Sequence, residues 1–157
     1  MGSTLLDLLK IEHIRVGIEA VDAQDAIRKL SVPFIETGYV APEFADDVWQ
    51  REQTFPTGLP TQPLAVAIPH ADPDHVKKSG VCIGVLKSPI RFAQMGTDGS
   101  TGLDVHVIFL LAIKEKEKQV EMIQQLMRLI QSPSLVEGLS KTGDSSAAMA
   151  LIQNVLI

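Results

Sequence analysis

Three short apolar runs constrain this chain more than any other feature. Leu64-Ala65-Val66-Ala67-Ile68 is unbroken and lies between Pro63 and Pro69, and Val81 to Leu86 and Val105 to Ile113 have the same character. A strand with one wet face alternates apolar and polar residues; a run with no polar face reads as a strand buried on both sides. Such strands need cover on each face. Helical patterns lie between them: Ile27, Leu30 and Phe34 behind an Asp22 cap, then Phe44 and Val48 in a segment entered through Pro42. Pro33 is expected to kink or shorten the first of these helices, and Gly38 to stop it. The clearest helix spans residues 116 to 131, with Val120, Ile123, Met127 and Ile130 as its apolar stripe. Shorter ones follow near 134 to 140 and 145 to 156, and residues 13 to 18 suit another strand. The loop 93 to 103, AQMGTDGSTGL, is glycine-rich and expected to be mobile. Alternating strands and helices define an α/β class: a single-domain sandwich over residues 1 to 157, with a mixed β-sheet covered by helices on both faces.

Several functions lose support at once. The net charge of −5 argues against a general nucleic-acid binder. The longest apolar run is far too short to span a bilayer, and the first residues lack a signal-peptide layout, so a cytoplasmic protein without membrane insertion is expected. The single cysteine, Cys82, permits no internal disulfide and sits in a strand-like run, where a packed, inert thiol is expected. There is no GxxxxGK[ST], no HExxH, no GxSxG and no CxxC. The glycine-rich loop precedes a strand, where a dinucleotide-binding fingerprint would follow one.

The chemistry-bearing text is VAIPHADPDH, residues 66 to 75, in which the central apolar run ends on Pro69 and His70. Strand ends are where open α/β sheets gather their sites. Three readings of His70 compete. The plainest is a histidine bonded to a backbone carbonyl. The second is a divalent-metal site built from His70, Asp72, Asp74 and His75, although Asp72-Pro73-Asp74 also suits a turn or a cap for a helix over 75 to 79. The third is phosphoryl transfer through a neutral imidazole nitrogen, which needs cationic or N–H partners for the phosphoryl oxygens but no nucleotide motif. The upstream segment REQTFPTGL, residues 51 to 59, supplies such partners: the Arg51 guanidinium, the Thr57 hydroxyl, and the backbone near Gly58.

REQTFPTGL followed at short distance by AVAIPHAD resembles the enzyme IIA components of the sugar phosphotransferase system, of the mannitol–fructose structural type, and most of all the galactitol-specific branch. The order of the later strands and the amphipathic helix agrees over nearly the whole chain. The resemblance implies a phosphotransferase subunit that needs no metal or other cofactor. It would take a phosphoryl group from the phosphocarrier HPr on His70, with Arg51 as the active-site arginine. It would pass the group to a cysteine of a IIB component, which acts with a membrane IIC component in sugar uptake. A phosphorylation-dependent regulatory module without a transport role is the alternative. Mannitol and fructose members often carry a second active-site histidine at the start of the helix after the last strand. Here the text is KEKQVEMI, and Gln119 stands in its place. His75 and His106 are the other candidates for supporting His70, with Thr57 and backbone N–H groups at Gly58 helping to hold the phosphoryl oxygens. His106 also fits a packed sheet-face residue, and His13 is expected at the surface. Phe55, Leu59 and Met95 are candidates to rim a docking surface.

Overall fold

In the computed structural model, which describes residues 4–156, each unbroken apolar run is a strand with helices on both sides. The described residues form one five-stranded sheet in the order β1-β4-β5-β3-β2, built from β1 (Ile14–Ile18), β2 (Gly58–Leu59), β3 (Ala65–Ala67), β4 (Gly80–Ala93) and β5 (Gly102–Ala112). The sheet is mixed: β1 runs parallel to β4, β3 runs parallel to β5, and the β4–β5 and β2–β3 pairs are antiparallel. From Val107 onward the side chains of β5 alternate between two cores. Val107, Phe109 and Leu111 enter the first, and Ile108, Leu110 and Ala112 the second. Val105, before a register shift against β3, also lies in the second. The first core is closed by α1 (Leu5–Leu8), α4 (Lys116–Leu129), α5 (Pro133–Ser140) and α6 (Ser145–Leu156). The second is closed by α2 (Ala23–Glu36) and α3 (Phe44–Thr54). With apolar helices on each side, no strand position had to be polar. Cys82 is fully buried, and burial pushes its thiol well above the ordinary range, so it is inert.

Several expectations need correction. The strand expected to stop at Leu86 continues to Ala93. Its pairing with β5 lapses between Val85 and Ile90, around exposed Lys87 and Ser88 and around Pro89, which has no N–H to offer. The two ends of the supposed loop 93 to 103 therefore belong to strands. Pro33 lies inside α2, near its end. Only the last turn lies beyond it, and Gly38, at φ 77°, follows the helix end as expected. The buried face of α4 is centred one residue away from the expected stripe: Ile130 is buried and Ile123 and Met127 pack against the core at its edge. Met122, Leu126 and Leu129 point inward with Gln119, whereas Val120 is 63% exposed. The two apolar stripes of this helix lie a residue apart and both reach the core, and the more deeply buried one turns Gln119 toward the protein. No helix forms over 75 to 79. Val76 bridges to Val40, and the N–H groups of Lys77 and Lys78 donate to the Tyr39 carbonyl, which removes them from helical pairing.

His13 is fully buried, not at the surface. Its ring packs edge-on against Phe34 and Tyr39. Thr37 Oγ1 donates to the Pro33 carbonyl, so it accepts from His13 Nε2, and the unprotonated Nδ1 is left buried without a partner. Burial holds the His13 pKa below its ordinary 6.5. Such a histidine takes its proton more readily in the unfolded chain, so its contribution to stability is full above about pH 6.5 and is lost as pH falls below it. Urea midpoints should therefore drop between pH 7 and pH 5. His13→Leu should flatten that slope, and an unchanged slope would contradict the assignment.

Candidate functional site

The site begins where β3 ends. β3 lies between β5 and β2, and beyond it the Pro69 carbonyl still accepts from the Leu111 N–H at 3.0 Å. His70 is thereby brought against the end of β5. Its ring folds back on its own strand, with Nδ1 2.8 Å from the Ile68 carbonyl oxygen. A carbonyl only accepts, so Nδ1 carries the proton and the lone pair of the neutral ring is on Nε2. His70 is 6% exposed. Burial is the main force holding its pKa below the ordinary value. The Arg51 charge acts in the same direction, and the Ile68 bond and Asp72 oppose it. The ring is therefore neutral at pH 7.

His70 opens onto a cleft of about 340 Å³ whose walls include Arg51, Phe55, Thr57, Met95 and Ile123. Arg51 lies in the last turn of α3. Its Cζ sits 5.2 Å from the centroid of the Phe55 ring, its Nε is buried without a partner, and none of the described ion pairs includes it. A cation placed beside a neutral imidazole and held in none of the described ion pairs suits an incoming anion. Phe55, 59% exposed, and Met95, 36% exposed, stand at the rim, whereas Leu59 is core.

The supporting residues fall into different places. Gln119 is buried and donates through Nε2 to the carbonyl of Ala71, the residue after His70, at 2.9 Å. Thr57 lines the cleft, but both of its donors are committed. Its N–H and its hydroxyl each lie 2.8 Å from a different oxygen of the Glu52 carboxylate. Gly58 does not form a turn with free N–H groups. It is buried in β2, where an added Cβ would sit 2.5 Å from the Ala93 carbonyl oxygen, and its own carbonyl accepts from Met95 N–H at 2.8 Å. Its lack of a side chain lets two backbones meet below the cleft. His75 bonds to Asp47, one turn before Arg51, which raises its pKa, and it does not line the cleft. His106 lies five residues before Leu111, about 17 Å away along β5 by strand rise. It therefore cannot support His70. Among the described residues no group of three or more histidine, cysteine, aspartate or glutamate side chains could hold a metal ion, so His70, Asp72, Asp74 and His75 do not converge.

Sequence reasoning missed Glu52, whose signal was its spacing. It follows Phe44 and Val48 at i+4 steps, so a carboxylate continues the buried stripe of α3. Burial pushes its pKa up, and the two Thr57 bonds and Arg51 pull it down.

The comparisons with known proteins agree with this geometry. The family model for the phosphoenolpyruvate-dependent sugar phosphotransferase system, EIIA 2, matches residues 7–155. The galactitol-specific EIIA component of Escherichia coli (strain K12) is 26% identical over 126 residues, covering 80% of this chain and 83% of that protein. The transcriptional regulator ManR of Bacillus subtilis (strain 168) is 27% identical over 125 residues, 78% of this chain but 18% of that protein. The mannitol enzyme IIA of Escherichia coli, solved in complex with phosphorylated mannitol enzyme IIB, superposes with a TM-score of 0.75 at 25% identity, covering 93% of this chain and 97% of that one.

The contact at Gly58 makes a prediction. Gly58→Ala should destabilise the protein by about 1–3 kcal/mol, because backbone and not a flexible side chain meets the new methyl. A urea midpoint equal to that of the wild type would contradict it.

Proposed function

The chain belongs to the EIIA 2 family of the sugar phosphotransferase system, and from that premise we propose that it is a cytoplasmic phosphocarrier subunit that accepts a phosphoryl group from phospho-HPr on His70 and passes it to a cysteine of a IIB component. One observation carries this reading. The Ile68 carbonyl ties down Nδ1 and burial keeps the ring neutral, so Nε2 keeps its lone pair at a cleft that also holds the unpaired Arg51 guanidinium.

The transfer follows from this arrangement. The Nε2 lone pair forms a bond to phosphorus as the bond from phosphorus to the donor breaks, and that electron pair leaves with the donor. No proton has to leave His70, because Nε2 carries none. The product ring bears its proton on Nδ1 and the phosphoryl group on Nε2, and the Ile68 carbonyl accepts from a ring that is now more positive, which strengthens the bond. Arg51 offsets the charge on the phosphoryl oxygens at every stage. Gln119 holds the backbone after His70 in place and adds no titrating charge. Transfer to the IIB cysteine reverses these steps. Phe55 and Met95 offer each partner a small apolar rim, which suits transient contacts.

A galactitol-type sugar is supported by the galactitol-specific relative, and a IIB partner by the mannitol IIA–IIB complex. Cytoplasmic placement is consistent with the finding that, among the described residues, no helix is long and apolar enough to cross a membrane. The regulatory reading is supported by the likeness to ManR. It differs in outcome: the phosphorylated chain would alter a partner's activity but would not deliver its phosphoryl group to a IIB cysteine.

The test is intact-protein mass spectrometry after incubation with phosphoenolpyruvate, enzyme I and HPr. The wild type should gain one acid-labile phosphoryl adduct, His70→Ala should gain none, and a IIB component should then remove the adduct from the wild type. An adduct that survives in His70→Ala would overturn the assignment.

A further inference from the structure

Glu52 is the one buried carboxylate among the described residues, and phosphoryl transfer as set out above makes no use of it. Its surroundings give it a task. Both carboxylate oxygens grip Thr57, one by the N–H and one by the hydroxyl, each at 2.8 Å. The Thr57 carbonyl in turn accepts from the Ile68 N–H at 3.3 Å. The Ile68 carbonyl accepts from His70 Nδ1 at 2.8 Å. Four residues thus form one linked path from helix α3, through Thr57 just before β2 and Ile68 just after β3, to the imidazole.

We propose that Glu52 is a positioning residue for His70, acting through Thr57 and Ile68 without touching the reacting atoms. The inference rests on the reading of His70 Nε2 as the phosphoryl acceptor. Thr57 has little support from β2, the strand it leads into, which has only two residues, the first of them a glycine with no side chain to pack. The Ile68–Thr57 bond, at 3.3 Å, is also the longest in the path. What keeps the backbone of Ile68 oriented, and with it the carbonyl aimed at the ring, is therefore how firmly Thr57 is held. Two bonds to one carboxylate fix its rotation as well as its place. Without them the Ile68 carbonyl is free to tilt, its bond to Nδ1 weakens, and the proton can move to Nε2. A ring protonated on Nε2 has no lone pair at the cleft.

The test compares wild type, Glu52→Gln and Glu52→Leu as full chains. The tautomer of His70 is read from imidazole nitrogen NMR of the unphosphorylated protein, and phosphoryl uptake from phospho-HPr is measured separately. In the Glu52→Gln protein the amide oxygen can still take the Thr57 N–H and the amide nitrogen can donate to its hydroxyl. Glu52→Gln should therefore keep the wild-type tautomer and stay within about threefold in uptake, whereas Glu52→Leu should show mixed tautomers and lose about tenfold or more, since small misplacements of reacting groups are costly. A folded Glu52→Leu with the Nδ1–H tautomer and unchanged uptake would overturn the proposal. If Glu52→Leu does not fold, Glu52→Asp carries the test, because its carboxylate sits one methylene short. Mixed tautomers are expected there, and a wild-type tautomer would overturn the proposal. A wild type that takes no phosphoryl group, but whose tautomer depends on Glu52, would remove the phosphocarrier reading and leave the positioning role standing.

Discussion

The bond from His70 Nδ1 to the Ile68 carbonyl is the interaction on which the rest of the site depends. It spans only two residues, yet it sets which ring nitrogen holds the proton and which faces the cleft. It forms because β3 ends at Ala67 while the chain runs on beside β5 to Pro69, which leaves the Ile68 carbonyl available to the ring. The sheet is therefore more than a scaffold for the site. The residue that follows its short inner strand supplies the acceptor, and the residue that leads into the antiparallel edge strand β2 supplies the backbone that steadies it.

Charge is arranged around this bond with little redundancy. Arg51 has no carboxylate partner among the described ion pairs, although the sequence places Glu52 directly after it. Successive helical residues diverge by about 100°. Arg51 accordingly faces the cleft while Glu52 faces the core, where its bonds go to Thr57. If the two charges were paired, the cation would be occupied before any phosphoryl group arrived. The Asp47–His75 contact belongs to another category. Its side chains are about a third exposed, and solvent screens a pair of that kind, so it contributes little to stability. Its place is to tie the turn after His70 to α3 at the margin of the cleft.

Much of this could be read in the sequence, for physical reasons that differ from residue to residue. Leu64 to Ile68 had to be a doubly buried strand because it has no polar face, and His70 had to lie at its end. Arg51 was a candidate from its segment and gained its role through a resemblance, and Gln119 was found only through that resemblance, since a lone arginine or glutamine has no local signature; the structure brings both to the neighbourhood of His70. What could not be read was direction. Helix α4 carries two adjacent apolar stripes that both reach the core, and periodicity alone does not say that the face is centred on Met122 and Leu126, which leaves Val120 outside. His13 looks like a surface residue in KIEHIRV until the packing of Phe34 and Tyr39 is known. The Gly58 reading failed because glycine serves both turns and close backbone approaches, and only the carbonyl of Ala93, distant in sequence, decides between them. His75 and His106 show that closeness in sequence or on a neighbouring strand does not bring an imidazole to the site.

Everything proposed for the site requires Nε2 to be the nitrogen that reacts. The most direct measurement is nitrogen and phosphorus NMR of the phosphorylated, isotopically labelled protein, which identifies the ring atom bonded to phosphorus. The phosphoryl group should be on Nε2 of His70, with the proton retained on Nδ1. A phosphoryl group on Nδ1 would require the Ile68 bond to break first, and would contradict the account at its foundation.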